Sequence, residues 1–215
     1  MPVGVVFVSH SARIAEGVVE LAGQMAPNVA LIAAGGTDEG GIGTSYDKVL
    51  EAIGGADGGQ GVLLIGDLGS AILTAETAVD LLDQAPTGGI RVLDVPIVEG
   101  GVAAAVAAES GADLDAVARA ATGEPPALAA VDGPARATVV IADPEGLHAR
   151  PAAALVRLVA GFDARVTVNG ADASSLLRVI ALGLRRDEEV TVRGSGAEAQ
   201  QAVDAVVALL AGSAR

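Results

Sequence analysis

Val3-Gly4-Val5-Val6-Phe7-Val8-Ser9-His10-Ser11 is an unbroken apolar run that stops on a serine and a histidine. A run this short, rich in β-branched residues, reads as a strand buried on both faces. Helical spacing follows at once, with Ile14, Val18, Leu21 and Met25 on one face of residues 11–25. The same alternation then repeats. Residues 29–34 read as a second strand and 35–43 as a glycine-rich loop, after which Thr44 and Asp47, spaced like a capping box, open a helix to Ile53. Residues 61–65 form a third strand, 70–82 a helix, 90–95 a fourth strand, 98–109 a helix and 114–121 a short helix. Strands alternating with helices predict an α/β domain built on a doubly wound, mostly parallel sheet.

Residues 123–135 lack apolar periodicity and hold Pro125, Pro126 and Pro134, the signature of a linker. Beyond it the pattern changes. Strand 137–142, helix 149–159, strand 165–168, an Asn169-Gly170 turn with a short strand, helix 175–182, strand 189–193 and helix 197–210 give the order β-α-β-β-α-β-α. Asn-Gly between apolar runs is a hairpin signal, and Ser195 with Glu198 again has capping-box spacing. This order predicts an α+β open-faced sandwich with helices on one side of a small sheet. Three segments follow: a first domain at 1–122, a linker at 123–135 and a second domain at 136–215.

Hydrophobic residues make up 51% of the 215 and aromatics 1%, so the cores must be built from Val, Leu, Ile and Ala. Cysteine is absent, which rules out disulfides and thiolate metal sites. There is no charged-then-apolar leader and no apolar stretch of the ~18 residues a membrane span needs, so a cytoplasmic protein without membrane contact is expected. Residues 1–125 carry 17 acidic against 4 basic side chains, whereas residues 126–215 carry 10 against 9. An acidic first part argues against a nucleic-acid partner.

The chain has two histidines, His10 and His148. A neutral imidazole is a good nucleophile near neutral pH because its unperturbed pKa is about 6.5. His10 falls where the first strand ends, the edge at which open α/β sheets collect ligand chemistry. The loop at 35–43 and the segments 66–70 and 96–101 end at that same edge. Asp67 is the polar residue best placed to orient His10: a carboxylate on one ring nitrogen fixes the tautomer and leaves the other nitrogen's lone pair exposed. Small residues around it (Ser9, Ser11, Gly69 and Ser70) leave room and amide donors for a phosphoryl group. His148 stands just before a helix that begins near Arg150, because Pro151 suits a first helical turn. Free N–H groups, the helix dipole and the Arg150 guanidinium favour an anion there. Two imidazoles so placed predict a phosphoryl relay.

Gly146-Leu147-His148-Ala149-Arg150-Pro151-Ala152-Ala153 resembles HPr, the histidine phosphocarrier of the bacterial phosphoenolpyruvate-dependent phosphotransferase system, and the likeness extends over residues 136–212. It implies that His148 carries phosphate on Nδ1 with Arg150 in support. Ser175-Leu176-Leu177-Arg178 matches that family's second helix. Ser175 then stands at the regulatory serine's position, though its residue-level reading is a helix cap; Leu176 and Leu177 read as partner contacts or as core.

Residues 1–122 resemble the mannose-class enzyme IIA domain. The likeness rests on Val8-Ser9-His10-Ser11, Gly43-Thr44, Gly66-Asp67-Leu68-Gly69-Ser70-Ala71 with Ala75-Glu76-Thr77, and Val98-Glu99-Gly100. The stretch Leu68-Gly69-Ser70-Ala71 favours the branch found in the phosphocarrier subunit of dihydroxyacetone kinase over the sugar-transport branch. This resemblance implies phosphate on Nε2 of His10, a ring held by Asp67, and a homodimer through the first domain.

Together the resemblances imply a phosphotransferase that works without a cofactor or metal of its own. Enzyme I phosphorylates His148, His148 phosphorylates His10, and His10 serves ADP on the nucleotide-binding subunit of the kinase, so that dihydroxyacetone is phosphorylated. The chain ends at Arg215, so an enzyme I-type histidine is expected in trans. Two alternatives stand beside this reading: a IIA–HPr fusion serving a mannose-class sugar permease, and a regulatory module whose phosphorylation state a partner senses.

Overall fold

The computed structural model describes residues 1–123 and 135–212, and the chain divides into two compact units, 1–124 and 125–215. Most of the residues proposed as linker therefore lie outside the described residues.

In the first unit, strands β1 (Gly4–Ser9), β2 (Leu31–Gly35), β3 (Val62–Gly66) and β4 (Ile90–Leu93) form an all-parallel sheet in the order β2-β1-β3-β4. Val5 pairs with Leu31 on one side and Leu63 on the other. The central strands β1 and β3 are buried along their whole length, as their unbroken apolar sequences require. Helices α2 (Tyr46–Ala56) and α3 (Gly69–Asp80) cover the face bearing Val6, Val8, Val62 and Leu64, packing Val49, Ala52, Ile53, Ala71, Ala75 and Ala78 against it. Helices α1 (Ala12–Gly23) and α4 (Ile97–Glu109) pack together on the sheet as well, and α5 (Leu114–Thr122) follows α4. Gly101 lets α4 approach the sheet: a Cβ there would lie 2.3 Å from the Phe7 ring.

The α/β reading holds, with several corrections. The buried stripe of α1 is Ala15, Val18 and Ala22, continued by Met25, whereas Ile14 and Leu21 are exposed. Both registers obey helical spacing; the alanine register wins because α1 packs on the Gly/Ala-rich α4. Ser45 rather than Thr44 caps α2, its hydroxyl accepting from the Lys48 N–H, and the Thr44 hydroxyl pairs with that of Thr74 instead.

In the second unit, β5 (Ala135–Val140), β6 (Arg165–Val168), β7 (Ala171–Asp172) and β8 (Glu189–Ser195) form an antiparallel sheet in the order β5-β8-β6-β7. Helices α6 (Ala149–Ala160), α7 (Leu176–Ala181) and α8 (Ala199–Leu210) complete it. Val139, Val166, Val168, Val190 and Val192 are buried, as are Leu155 and Val156 of α6 and Val203 and Val206 of α8. The alternate residues Arg136, Thr138 and Val140 of β5 are exposed, the mark of a one-sided sheet. Asn169 and Gly170 both take positive φ (47° and 84°), as a two-residue hairpin turn of type I′ demands. The Ser195–Glu198 capping box does not form. Ser195 remains in β8, and Glu198 turns its carboxylate onto the Asp163 N–H at 2.7 Å.

Candidate functional site

The two histidines lie in different units, so each is a site of its own. In the first unit the chain runs outward from β1 in both directions: α1 leads to β2 on one side, and β3 and β4 lie on the other. The crevice where the winding reverses opens between the carboxyl ends of β1 and β3. His10 follows β1 by one residue and Asp67 follows β3 by one residue. The Asp67 N–H donates to the Val8 carbonyl at 3.1 Å, continuing the parallel ladder and bringing the two side chains together.

The Asp67 carboxylate accepts three hydrogen bonds. Its Oδ1 takes the ring Nδ1 of His10 at 2.9 Å; its Oδ2 takes the His10 main-chain N–H at 2.9 Å and the Ser9 hydroxyl at 2.7 Å. A bidentate hold on both ring and backbone of one residue fixes the imidazole in place. The ionised carboxylate can only accept, so it selects the Nδ1–H tautomer and leaves the lone pair on Nε2. Burial raises the pKa of Asp67. The hydrogen bonds from the His10 ring, the Ser9 hydroxyl and the His10 N–H, with the charge of the ring, together outweigh burial and bring the carboxyl below its ordinary range. The His10 side chain keeps 22% of its surface exposed, enough for a partner to reach it.

Nε2 of His10 meets the Ser70 hydroxyl at 2.7 Å, in the first turn of α3. The leading N–H groups of that helix have no intrahelical partner, and the dipole favours negative charge beside them. A Cβ on Gly69 would meet nothing within 4 Å, so the space beside the helix start is open. Ser11 differs from expectation: its N–H is occupied by the Ser9 Oγ at 3.1 Å and is not available to a ligand. The segment 96–101 contributes packing, through Gly101 on Phe7. Ser9 is fully buried and carries more than the room sequence reading allowed it, since its hydroxyl links the Asp67 carboxylate to the start of α1.

In the second unit His148 occupies the N-cap position of α6, with Arg150 and Pro151 second and third in the helix. The His148 carbonyl accepts from Ala152 at 3.0 Å, leaving the N–H groups of Ala149 and Arg150 without intrahelical partners. Gly146, at φ +76°, makes the approach possible: a Cβ there would lie 2.3 Å from the Leu184 carbonyl oxygen. That same carbonyl takes the Leu147 N–H at 2.9 Å. Arg150, two residues after His148, is exposed. Two carboxylates that sequence reading missed face the ring, Glu145 Oε2 at 3.4 Å and Asp143 Oδ1 at 4.0 Å from Nε2. A proton on Nε2 would face both carboxylates and would leave the lone pair on Nδ1. The signal was present in Asp143-Pro144-Glu145, three acid-and-turn residues ahead of Gly146.

Ser175 takes the N-cap position of α7, buried, but its hydroxyl makes no capping bond. Leu176 belongs to the core and Leu177 is half-buried. Among the described residues no cluster of three or more His, Cys, Asp or Glu could hold a metal ion, and no helix is long and apolar enough to cross a membrane.

Two family models match the chain: the EIIA-man model, described as the PTS system fructose IIA component, over residues 4–118, and the PTS HPr component phosphorylation-site model over residues 135–212. The PEP-dependent dihydroxyacetone kinase phosphoryl donor subunit DhaM of Pantoea ananatis is 39% identical over 97% of this chain and 50% of its own length. The PTS-dependent dihydroxyacetone kinase phosphotransferase subunit DhaM of Lactococcus lactis is 37% identical over 54% of this chain and 91% of its own length. The crystal structure of EF1359, a protein of unknown function, superposes on 57% of this chain and 94% of its own with a TM-score of 0.50 and 33% identity. The chain spans about half the length of the curated relatives that it matches from end to end.

Proposed function

The chain belongs to the EIIA-man family and, within it, to the DhaM phosphoryl donor subunits, and from that membership we propose that it relays phosphoryl groups through two histidines to a dihydroxyacetone kinase. Phosphorylated enzyme I is the donor. Nδ1 of His148 attacks phosphorus, a P–N bond forms there, and the bond to the donor breaks. The N–H groups at the start of α6 and the Arg150 guanidinium meet the phosphoryl oxygens.

Nε2 of His10 then attacks the same phosphorus, and the P–Nδ1 bond of His148 breaks. The ring proton stays on Nδ1 of His10, held by Asp67. Positive charge grows on the imidazole as the new bond forms, and the carboxylate 2.9 Å away stabilises it. The Ser70 hydroxyl turns from the ring nitrogen to a phosphoryl oxygen. In the last step a terminal oxygen of ADP on the kinase's nucleotide-binding subunit takes the phosphoryl, and the ATP formed phosphorylates dihydroxyacetone. The protein acts as a cytoplasmic homodimer, paired through the first unit.

One observation carries this reading: a carboxylate grips both the backbone and Nδ1 of His10 and presents Nε2 at a helix start. The test uses enzyme I and labelled phosphoenolpyruvate. The His148→Ala chain takes up no label, the His10→Ala chain is labelled at His148 alone, and ADP-loaded kinase subunit discharges His10 in the wild type. Label that reaches His10 without His148 overturns the order. Label that stays on His10 with the ADP-loaded subunit present, yet leaves with a sugar permease, overturns the acceptor.

A further inference from the structure

Lys48 is the one lysine of a chain with net charge −14, and no step above uses it. It stands third in α2, half-buried, where the helix dipole disfavours a cation. A local partner must offset that placement, and two are present. Its Nζ donates to the main-chain carbonyl of Thr37 at 2.7 Å and to that of Gly35 at 3.2 Å. Glu16 and Glu51 line the same recess, yet the ammonium bonds the carbonyls.

Those carbonyls begin the loop at 35–43, which touches the His10 backbone. The Gly36 N–H donates to the Ser9 carbonyl at 3.1 Å, and the Gly43 N–H donates to the His10 carbonyl at 2.9 Å. Gly36, Gly40 and Gly43 all take positive φ (74°, 82° and 145°). Glycines bring little shape of their own to a loop, so bonds from outside add to those it makes within itself, the Gly40 N–H to the Thr37 carbonyl at 3.1 Å and the Gly41 N–H to the Thr37 hydroxyl at 3.0 Å. Thr37 is the link: its carbonyl is on the lysine, its N–H is on the Gly41 carbonyl at 3.0 Å, and its methyl lies against Gly43, where an added Cβ would sit 2.7 Å away.

We infer that Lys48 is a positioning residue for His10: its ammonium staples the carbonyls of residues 35 and 37, and the loop so held fixes the His10 main chain through Gly43. Asp67 grips the N–H side of that residue and the loop grips its carbonyl side, so the imidazole is anchored from both ends of its own backbone unit. The inference rests on His10 being the phosphoryl acceptor. A neutral side chain at position 48 removes the ammonium from both carbonyls, leaves that of Thr37 with the Gly40 N–H alone at 3.1 Å, and loosens the loop.

The test uses the full chain. Because the chain has no cysteine, Lys48→Cys places a unique thiol, and alkylation with 2-bromoethylamine restores an ammonium at nearly the lysine length. Native-state amide exchange at Gly36 and Gly43 quickens about tenfold in Lys48→Met and in unalkylated Lys48→Cys, while the Leu64 amide in β3 is unchanged. Single-turnover transfer from loaded His148 to His10 slows about tenfold, and loading of His148 itself is untouched. Aminoethylation returns both readouts towards wild type, and the unchanged Leu64 amide separates release of the loop from a loss of general stability. Unchanged exchange at Gly43 in Lys48→Met, or an aminoethylated protein no better than the bare thiol, overturns the inference. Exchange is independent of phosphoryl chemistry, so a wild-type chain that takes no label at His10 refutes the relay and not the staple.

Discussion

Asp67→Asn tests the heart of the site because it changes charge and donor pattern with almost no change of shape. The amide oxygen can replace Oδ2, which accepts from the Ser9 hydroxyl and the His10 N–H, leaving the NH2 facing Nδ1. Two donors cannot meet, so the ring must move its proton to Nε2 and lose the lone pair that attacks phosphorus. The charge effect has a magnitude. Two unit charges 2.9 Å apart attract by about 6 kcal/mol at an effective dielectric of about 20. If about half a unit of charge develops on the ring in the transition state, the loss is about 3 kcal/mol, or roughly two orders of magnitude in rate. The assay is rapid-quench, single-turnover transfer from loaded His148 to His10, with phosphohistidine read by mass spectrometry under alkaline handling. Ring 15N shifts report the tautomer directly, and His148 should load at the wild-type rate. A variant that transfers within about threefold of wild type would refute the tautomer argument, being far below the two decades expected.

The lowered pKa of Asp67 sets the sign of a stability effect. Its folded value lies below the ordinary 3.8, so its contribution is fully present above that pH and disappears as pH falls through the folded value. Urea unfolding of the wild type against Asp67→Asn should therefore show a gap that is present above about pH 5 and closes in more acid solution. Gly101→Ala drives a methyl to 2.3 Å from the Phe7 ring and should cost about 1–3 kcal/mol in urea unfolding, leaving the second unit's transition unmoved. Gly146→Ala places a Cβ 2.3 Å from the Leu184 carbonyl at a φ of +76°, so labelling by enzyme I should slow at His148. Sedimentation velocity of residues 1–215 should give a dimer if β4, an edge of the sheet among the described residues, is where copies meet.

The parts legible in the sequence were those that repeat or that allow one residue type. Continuous apolar runs announced buried parallel strands, and Asn169-Gly170 announced its hairpin because both positions need positive φ. His10 and Asp67 were readable as a pair because both follow central strands, and parallel strands end at one edge. The stripe of α1 was misread because Ile14 and Leu21 are the larger apolar residues, and only the close neighbour α4 decides that alanines go inside. The caps of α2 and α8 were misread because Thr44, Ser195 and Glu198 had partners distant in sequence: Thr74 for the first, the Asp163 amide for the last, and strand pairing for Ser195.

By itself the sequence determined two units of different architecture, the strand ends on which chemistry collects, and an imidazole for each unit. These follow from periodicity and residue type, which act along the chain. Tertiary structure alone decided that Asp67 grips backbone and ring together, that Ser9 completes its hold while Ser70 meets Nε2 of the ring, that Glu145 and Asp143 face His148, and that the lone lysine staples the glycine loop. Hydrogen bonds reach only about 3 Å, so partners as many as 60 positions apart in sequence become visible only once packing has brought them together.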